Sequence, residues 1–125
     1  MSALNINAIT RLNSVAGVDL NVNGGVTILY NVPTGNNCII TSVVIRNAST
    51  SLTLASYSFG FNAASYNDNI TNSTHIELTG NTLFTILPTK TGATKGISGG
   101  NFSIIVNTPQ GVAATITIDI FGYLM

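Results

Sequence analysis

Gly96-Ile97-Ser98-Gly99-Gly100 satisfies G-x-S-x-G, the spacing that raises a nucleophilic serine on a sharp strand-to-helix turn. That geometry needs a strand before the serine, a helix after it, and an acid and a histidine downstream. The single histidine, His75, precedes Ser98, and the surrounding "TKTGATKGISGGN" (89–101) reads as a Gly-rich connection between strands. A Gly/Ser turn is the reading. His75 and Glu77 form the next pair, at i and i+2 on one strand face and roughly 7 Å apart from the strand rise. They could seed acid–base or metal chemistry, but zinc needs three or four ligands and no further His or Cys lies nearby. Exposed strand decoration is expected, with no metal and no cofactor. Asn67, Asp68 and Asn69 offer hard oxygen donors, yet a single carboxylate outside a calcium-loop frame predicts an Asx-rich turn. With Tyr57 and Tyr66 the same stretch forms a candidate glycan surface, since aromatic faces and amides suit sugars.

The other signals resolve to solvated surface. Neither G-x-x-x-x-G-K-[ST] nor G-x-G-x-x-G occurs in 89–101, so Lys90 and Lys95 cradle no phosphate. Asn47, Asn69, Asn72 and Asn101 head glycosylation sequons, a number that chance supplies among sixteen asparagines and that means little without a secretory context. Cys38, the only cysteine, sits in an apolar run and reads as a buried thiol; a disulfide scaffold is excluded. The enzyme class is not expected, for want of convergent titratable groups.

Charge narrows the field further. Only 6% of the 125 residues are charged, four basic and four acidic, against about a quarter in an average domain. Arg11, Arg46, Lys90 and Lys95 are too few and too scattered to replace phosphate counterions, which closes nucleic-acid binding. No apolar run approaches a membrane span, so no membrane is expected; "MSALNINAIT" has no signal-peptide pattern, which fits either a mature chain without its leader or a chain never exported. Val, Ile and Thr make up about a third of the chain, which favours strands over disorder.

The elements that must position these residues follow from period-2 runs broken by Gly, Asn and Pro. Val26, Ile28, Tyr30 and Val32 share one face. Pro33-Thr34-Gly35-Asn36-Asn37 turns the chain into Cys38–Asn47. Leu52 and Leu54 lie on even positions, while Tyr57, Phe59 and Phe61 lie on odd ones, so a bulge is predicted near Ala55–Ser56. Strands are expected over 75–79, 83–87 and 102–106. The last run places Val112, Ala114, Ile116, Ile118 and Ile120 on one side, opposite Thr115, Thr117, Asp119 and Phe121. About eight antiparallel strands and no helix predict an all-β, single-domain β-sandwich, most simply jelly-roll-like. Residues 1–18 are assigned to an N-terminal arm or edge strand, with the arm favoured, and 19–125 to the sandwich.

Cys38–Asn47 is apolar on both faces, with Cys38, Ile40 and Val44 on one and Ile39, Val43 and Ile45 on the other. Charges that normally protect sheet edges are scarce. Ile39, Val43, Ile45, Ile105 and Phe121 are therefore the candidate interface with another copy of the chain, a trimer being favoured, or with a larger assembly. The alternative is that the chain's own sheets and a loop cover both faces.

"LYNVPTGNNCIITSVVIRNAST" resembles the Y-x-V-P-x-G-x-x-x-x-I-x-S-[IV]-x-[IV]-x-N strand–turn–strand of small β-sandwich virion proteins of tailed bacteriophages. "ATITIDIFGYLM" is similar to the closing strand of such chains, and the resemblance spans roughly 26–50 and 112–125. It implies a capsid decoration (cement) protein or a related head or tail appendage, made in the bacterial host cytoplasm and located on the virion. The implied partners are the major capsid protein or another virion protein. The family supplies no catalytic motif, and its contacts transfer to no particular residue here. A glycan- or receptor-binding module at a fibre or tail tip, using Tyr57, Tyr66 and Asn67–Asn69, is the alternative from another class.

Overall fold

The structure, a computed structural model, describes residues 9–52, 54–61, 74–75, 84–86, 95–96 and 98–125. All of its regular elements are β. Six long strands form two antiparallel sheets of three: β1 (Thr10–Asp19), β9 (Thr115–Leu124) and β3 (Cys38–Arg46) in one, and β2 (Val26–Asn31), β8 (Asn101–Thr108) and β4 (Ser56–Phe61) in the other. Short pairings extend the edges: β5 (Thr74–His75) on β4, and β6 (Phe84–Ile86) and β7 (Lys95–Gly96) on β3. Six long strands thus stand where about eight were expected. Of the expected strands 75–79 and 83–87, only His75 and Phe84–Ile86 lie within the described residues. Thr10–Asp19 lies along β9 as the edge strand of the first sheet.

Both sheets give their inward rows to one core. The first contributes Val18, Ile40, Val43, Ile45, Ile116, Ile118 and Ile120, and the second contributes Tyr57, Phe59, Phe61, Phe102, Ile104 and Val106. Aromatic side chains line the second sheet's inner face. Tyr57 meets Phe59 edge-on at 5.7 Å, and Phe59 stacks on Phe102 at 5.9 Å. Such pairs add about 0.5–1.5 kcal/mol each beyond the area they bury.

Bulges decide which side chains reach this core. A register shift between Ser56 and Tyr57 falls at the phase change legible in the sequence. A second shift, between Ile40 and Ser42, resolves the two-faced strand. One extra residue inverts the alternation, so Cys38 and Ile40 before it and Val43 and Ile45 after it all point inward. A third shift, between Ile28 and Tyr30, turns Leu29 into the core and Val26 and Ile28 out of it. Where that bulge leaves Leu29's carbonyl, Asn13 Nδ2 of β1 donates to it at 2.6 Å and ties the two edge strands together.

Candidate functional site

None of the sequence-level chemical candidates is assembled into a reacting centre among the described residues. Ser98 sits exposed in the turn before β8, and its Oγ accepts a hydrogen bond from the Gly35 N–H at 2.8 Å. Val32 brackets the same turn, donating to Gly100 O at 2.9 Å and accepting from Gly99 N–H at 3.2 Å. The serine is thus a clasp between two turns. His75 pairs with Ser56 in β5, whereas Glu77, Tyr66, Asn67, Asp68, Asn69 and Lys90 lie outside the described residues. Lys95 pairs with Ile39 in β7. Among the described residues no group of three or more His, Cys, Asp or Glu is placed to hold a metal, and no helix is long and apolar enough to cross a membrane.

Tyr57 corrects the glycan surface. Its ring is buried in the core between the sheets, so it offers no face to a sugar. Burial also pushes its phenol pKa up, because the ionised form would lose its hydration.

The outward face of the first sheet carries the one described ion pair. Asp119 on β9 lies between Ser14 on β1 and Val44 on β3. Arg46 Nε donates to Asp119 Oδ2 at 2.7 Å, its Nη2 to Oδ1 at 3.4 Å, and Ser14 Oγ to Oδ1 at 2.5 Å. The Arg46 hydrogen bond, then that of Ser14 and the charges of Arg46 and Arg11, hold the Asp119 carboxyl below its ordinary range against the opposing effect of burial. Phe121 and Tyr123 continue this face along β9, with Ile39 opposite Tyr123.

The five candidate interface residues separate into three places. Val43 and Ile45 are core residues, withdrawn from any partner by the bulge in β3. Ile39 and Phe121 lie half-buried on the outward face of the first sheet. Ile105 lies half-buried on the outward face of the second sheet, across the sandwich from them. No single patch contains all five.

The apolar surface lies elsewhere. Val26 is 44% exposed and Ile28 49%, side by side on the outward face of β2. Ile105 stands opposite Val26, so the three make one apolar row at the edge of the second sheet. In sequence these valine and isoleucine positions alternate with Tyr30 and Val32 as an inward face does. Only the bulge, which leaves no mark in the composition, turns them out. A second group of exposed apolar side chains, Val22, Leu54 and Val112, lies on connections between strands.

These features define an all-β protein of two packed antiparallel sheets whose distinctive surface is apolar and nearly uncharged. No family model matches the sequence, and no curated protein matches it. Among solved structures, the chain is similar to one in the cyanophage Pam1 capsid asymmetric unit, at 15% identity and a TM-score of 0.48, over 100% of this chain and 91% of that one.

Proposed function

We propose that this chain is a non-enzymatic structural protein of a bacteriophage virion: a jelly-roll-like capsid decoration (cement) protein, homotrimeric, that binds where capsid subunits meet. The observation that carries the reading is the Val26–Ile28–Ile105 row, large apolar side chains held out on a rigid sheet by a chain that has filled its core. Exposed apolar patches of this kind mark interfaces. The likeness of residues 26–50 and 112–125 to small phage virion sandwiches supplies the identity of the assembly. A cement protein contributes buried area rather than chemistry, and about 1,600 Å² per contact suffices when it is repeated over a shell. With so few charges, little of that attachment depends on ion pairs that salt would screen.

Solution mass and particle binding test it together. Light scattering over a wide dilution range is expected to give a trimer that survives dilution. Particles carrying the chain are expected to retain their contents to a higher temperature than particles without it. A monomer that never copurifies with particles ends this reading, and saturable sugar binding by that monomer would favour a receptor-binding module instead.

A further inference from the structure

Among the described residues, three connections converge at one end of the sandwich: β1 to β2, β3 to β4, and β8 to β9. Gln110 is their common anchor. Its buried side-chain Oε1 accepts from the N–H groups of Leu54 at 3.1 Å and Ala55 at 3.0 Å, and its own N–H donates to Leu20 O at 3.0 Å. Gly111, at a φ of 91° that favours glycine, donates its N–H to Asn21 Oδ1 at 2.8 Å. Asn21 N–H in turn donates to Asp19 Oδ1 at 2.8 Å. Leu20 N–H reaches Ala114 O at 3.0 Å, and Ser49 exchanges two bonds of 2.9 Å with the Thr115 backbone. The three connections are one body.

Each connection buries an apolar side chain beneath this network: Leu20, Leu52 and Ala114. Each also leaves a large one out: Val22 at 52% exposed, Leu54 at 61% and Val112 at 58%. Leu54 Cδ1 stands 3.8 Å from where a Cβ on Gly111 would be, Val112 is the next residue, and Val22 follows the asparagine that holds Gly111. Gly111 thus links the three residues, Leu54 by contact, Val112 as its neighbour in the chain and Val22 through Asn21.

We infer that Val22, Leu54 and Val112 form a preorganised apolar tip that seats in an uncharged apolar recess of a partner protein, the capsid shell; the identity of that partner rests on the virion reading above. Backbone already fixed by Gln110 loses little freedom on docking, so the apolar contact is not spent on ordering loops. Three partly exposed side chains present only a few hundred Å², short of the roughly 800 Å² per partner that a stable pair of proteins needs. Two such tips facing each other therefore make no lasting dimer, whereas a recess that closes around the tip buries its sides as well. The connections contain no Lys or Arg, and Arg46 at the end of β3 is engaged by Asp119. An anionic bilayer would find no cation there to attract. Asp19 at the margin disfavours an acidic recess.

The test titrates shells that lack the protein with the wild-type chain, with a Leu54→Ser/Val112→Ser double variant, and with Thr34→Asp at the opposite end of the sandwich. The double variant is expected to bind about tenfold or more weakly, the loss of two apolar anchors, with its melting temperature unchanged because both side chains are exposed. Thr34→Asp is expected to bind as the wild type does. If wild type and double variant bind shells equally, the tip is not the docking surface and the virion reading stands without it. If the wild-type chain does not bind shells at all, both fail. If it sediments with phosphatidylglycerol vesicles and the double variant does not, the occupant is lipid and the protein recess is overturned.

Discussion

Arg46 and Asp119 meet across neighbouring strands on the outward face of the first sheet, with Nε 2.7 Å from Oδ2 and Ser14 closing on the other carboxylate oxygen from β1. One carboxylate thus links three strands. Its pKa is lowered on folding, so its stabilisation is complete above the ordinary carboxylate value of 3.8 and is lost as pH falls through the depressed folded value. Asp119→Asn is expected to lower stability at neutral pH by about 1–2 kcal/mol, the usual range for hydrogen bonds to a charged group. Urea unfolding followed from neutral to strongly acidic pH should show the gap between variant and wild type closing at the acid end. A gap that stayed constant with pH would assign the loss to packing instead of charge.

Gly122 in β9 lies against the backbone of β3. A Cβ there would strike the Ile39 carbonyl oxygen and stand 3.0 Å from its carbonyl carbon and 3.2 Å from Ile40 Cα. All three obstacles are main chain, so no side chain can swing aside. Gly122→Ala is expected to cost about 3 kcal/mol or more, at or beyond the upper range for overpacking, and to reduce soluble yield sharply. Chemical denaturation of whatever folds gives the figure; a near-neutral result would mean that β3 and β9 part at this point easily.

Gln110 supports the tip in a way that stability and local exchange can separate. Gln110→Met keeps the volume but removes the acceptor shared by the Leu54 and Ala55 N–H groups. Global stability is expected to fall by about 1–3 kcal/mol, the cost of an unmade buried hydrogen bond. Amide exchange at Leu54 should accelerate more than exchange in the central strands. Uniform acceleration throughout would show that Gln110 holds the whole fold rather than one end of it.

The sequence disclosed the strands more readily than it disclosed their faces. Tyr57, Phe59 and Phe61 change phase relative to Leu52 and Leu54, so alternation alone reveals the shift at Ser56. Cys38–Arg46 is apolar at Cys38, Ile39, Ile40, Val43, Val44 and Ile45, and either alternation satisfies it. The bulge between Ile40 and Ser42 therefore left no trace, and Val43 and Ile45 read as surface residues. Val26, Ile28, Tyr30 and Val32 read as one face, and the shift between Ile28 and Tyr30 divides them. Leu54 and Val112 each continue a periodic run, so nothing local distinguishes them from core. Their exposure follows from Gln110, which in sequence is only the middle residue of a Pro-Gln-Gly turn. Which side chains a bulge or a cross-loop amide turns outward depends on pairings tens of residues apart, and periodicity within one strand does not report them.

Tyr57 and Ser103 each carry a buried hydroxyl with no hydrogen-bond partner among the described residues, an arrangement that costs stability. Removing such a group takes away desolvation and no bond. Tyr57→Phe and Ser103→Ala are each expected to leave stability unchanged or raise it by up to about 1 kcal/mol. Tyr57 adds a pH signature. Its folded pKa is raised by burial, so the wild type's stability is independent of this phenol's titration below the unfolded value of 10.0 and declines above it, as alkaline pH ionises the unfolded chain first. Denaturation curves collected from neutral to strongly alkaline pH should therefore show Tyr57→Phe gaining on the wild type as pH rises. A loss exceeding about 1 kcal/mol at neutral pH would mean that the hydroxyl is bonded in solution, with an internal water as the natural partner.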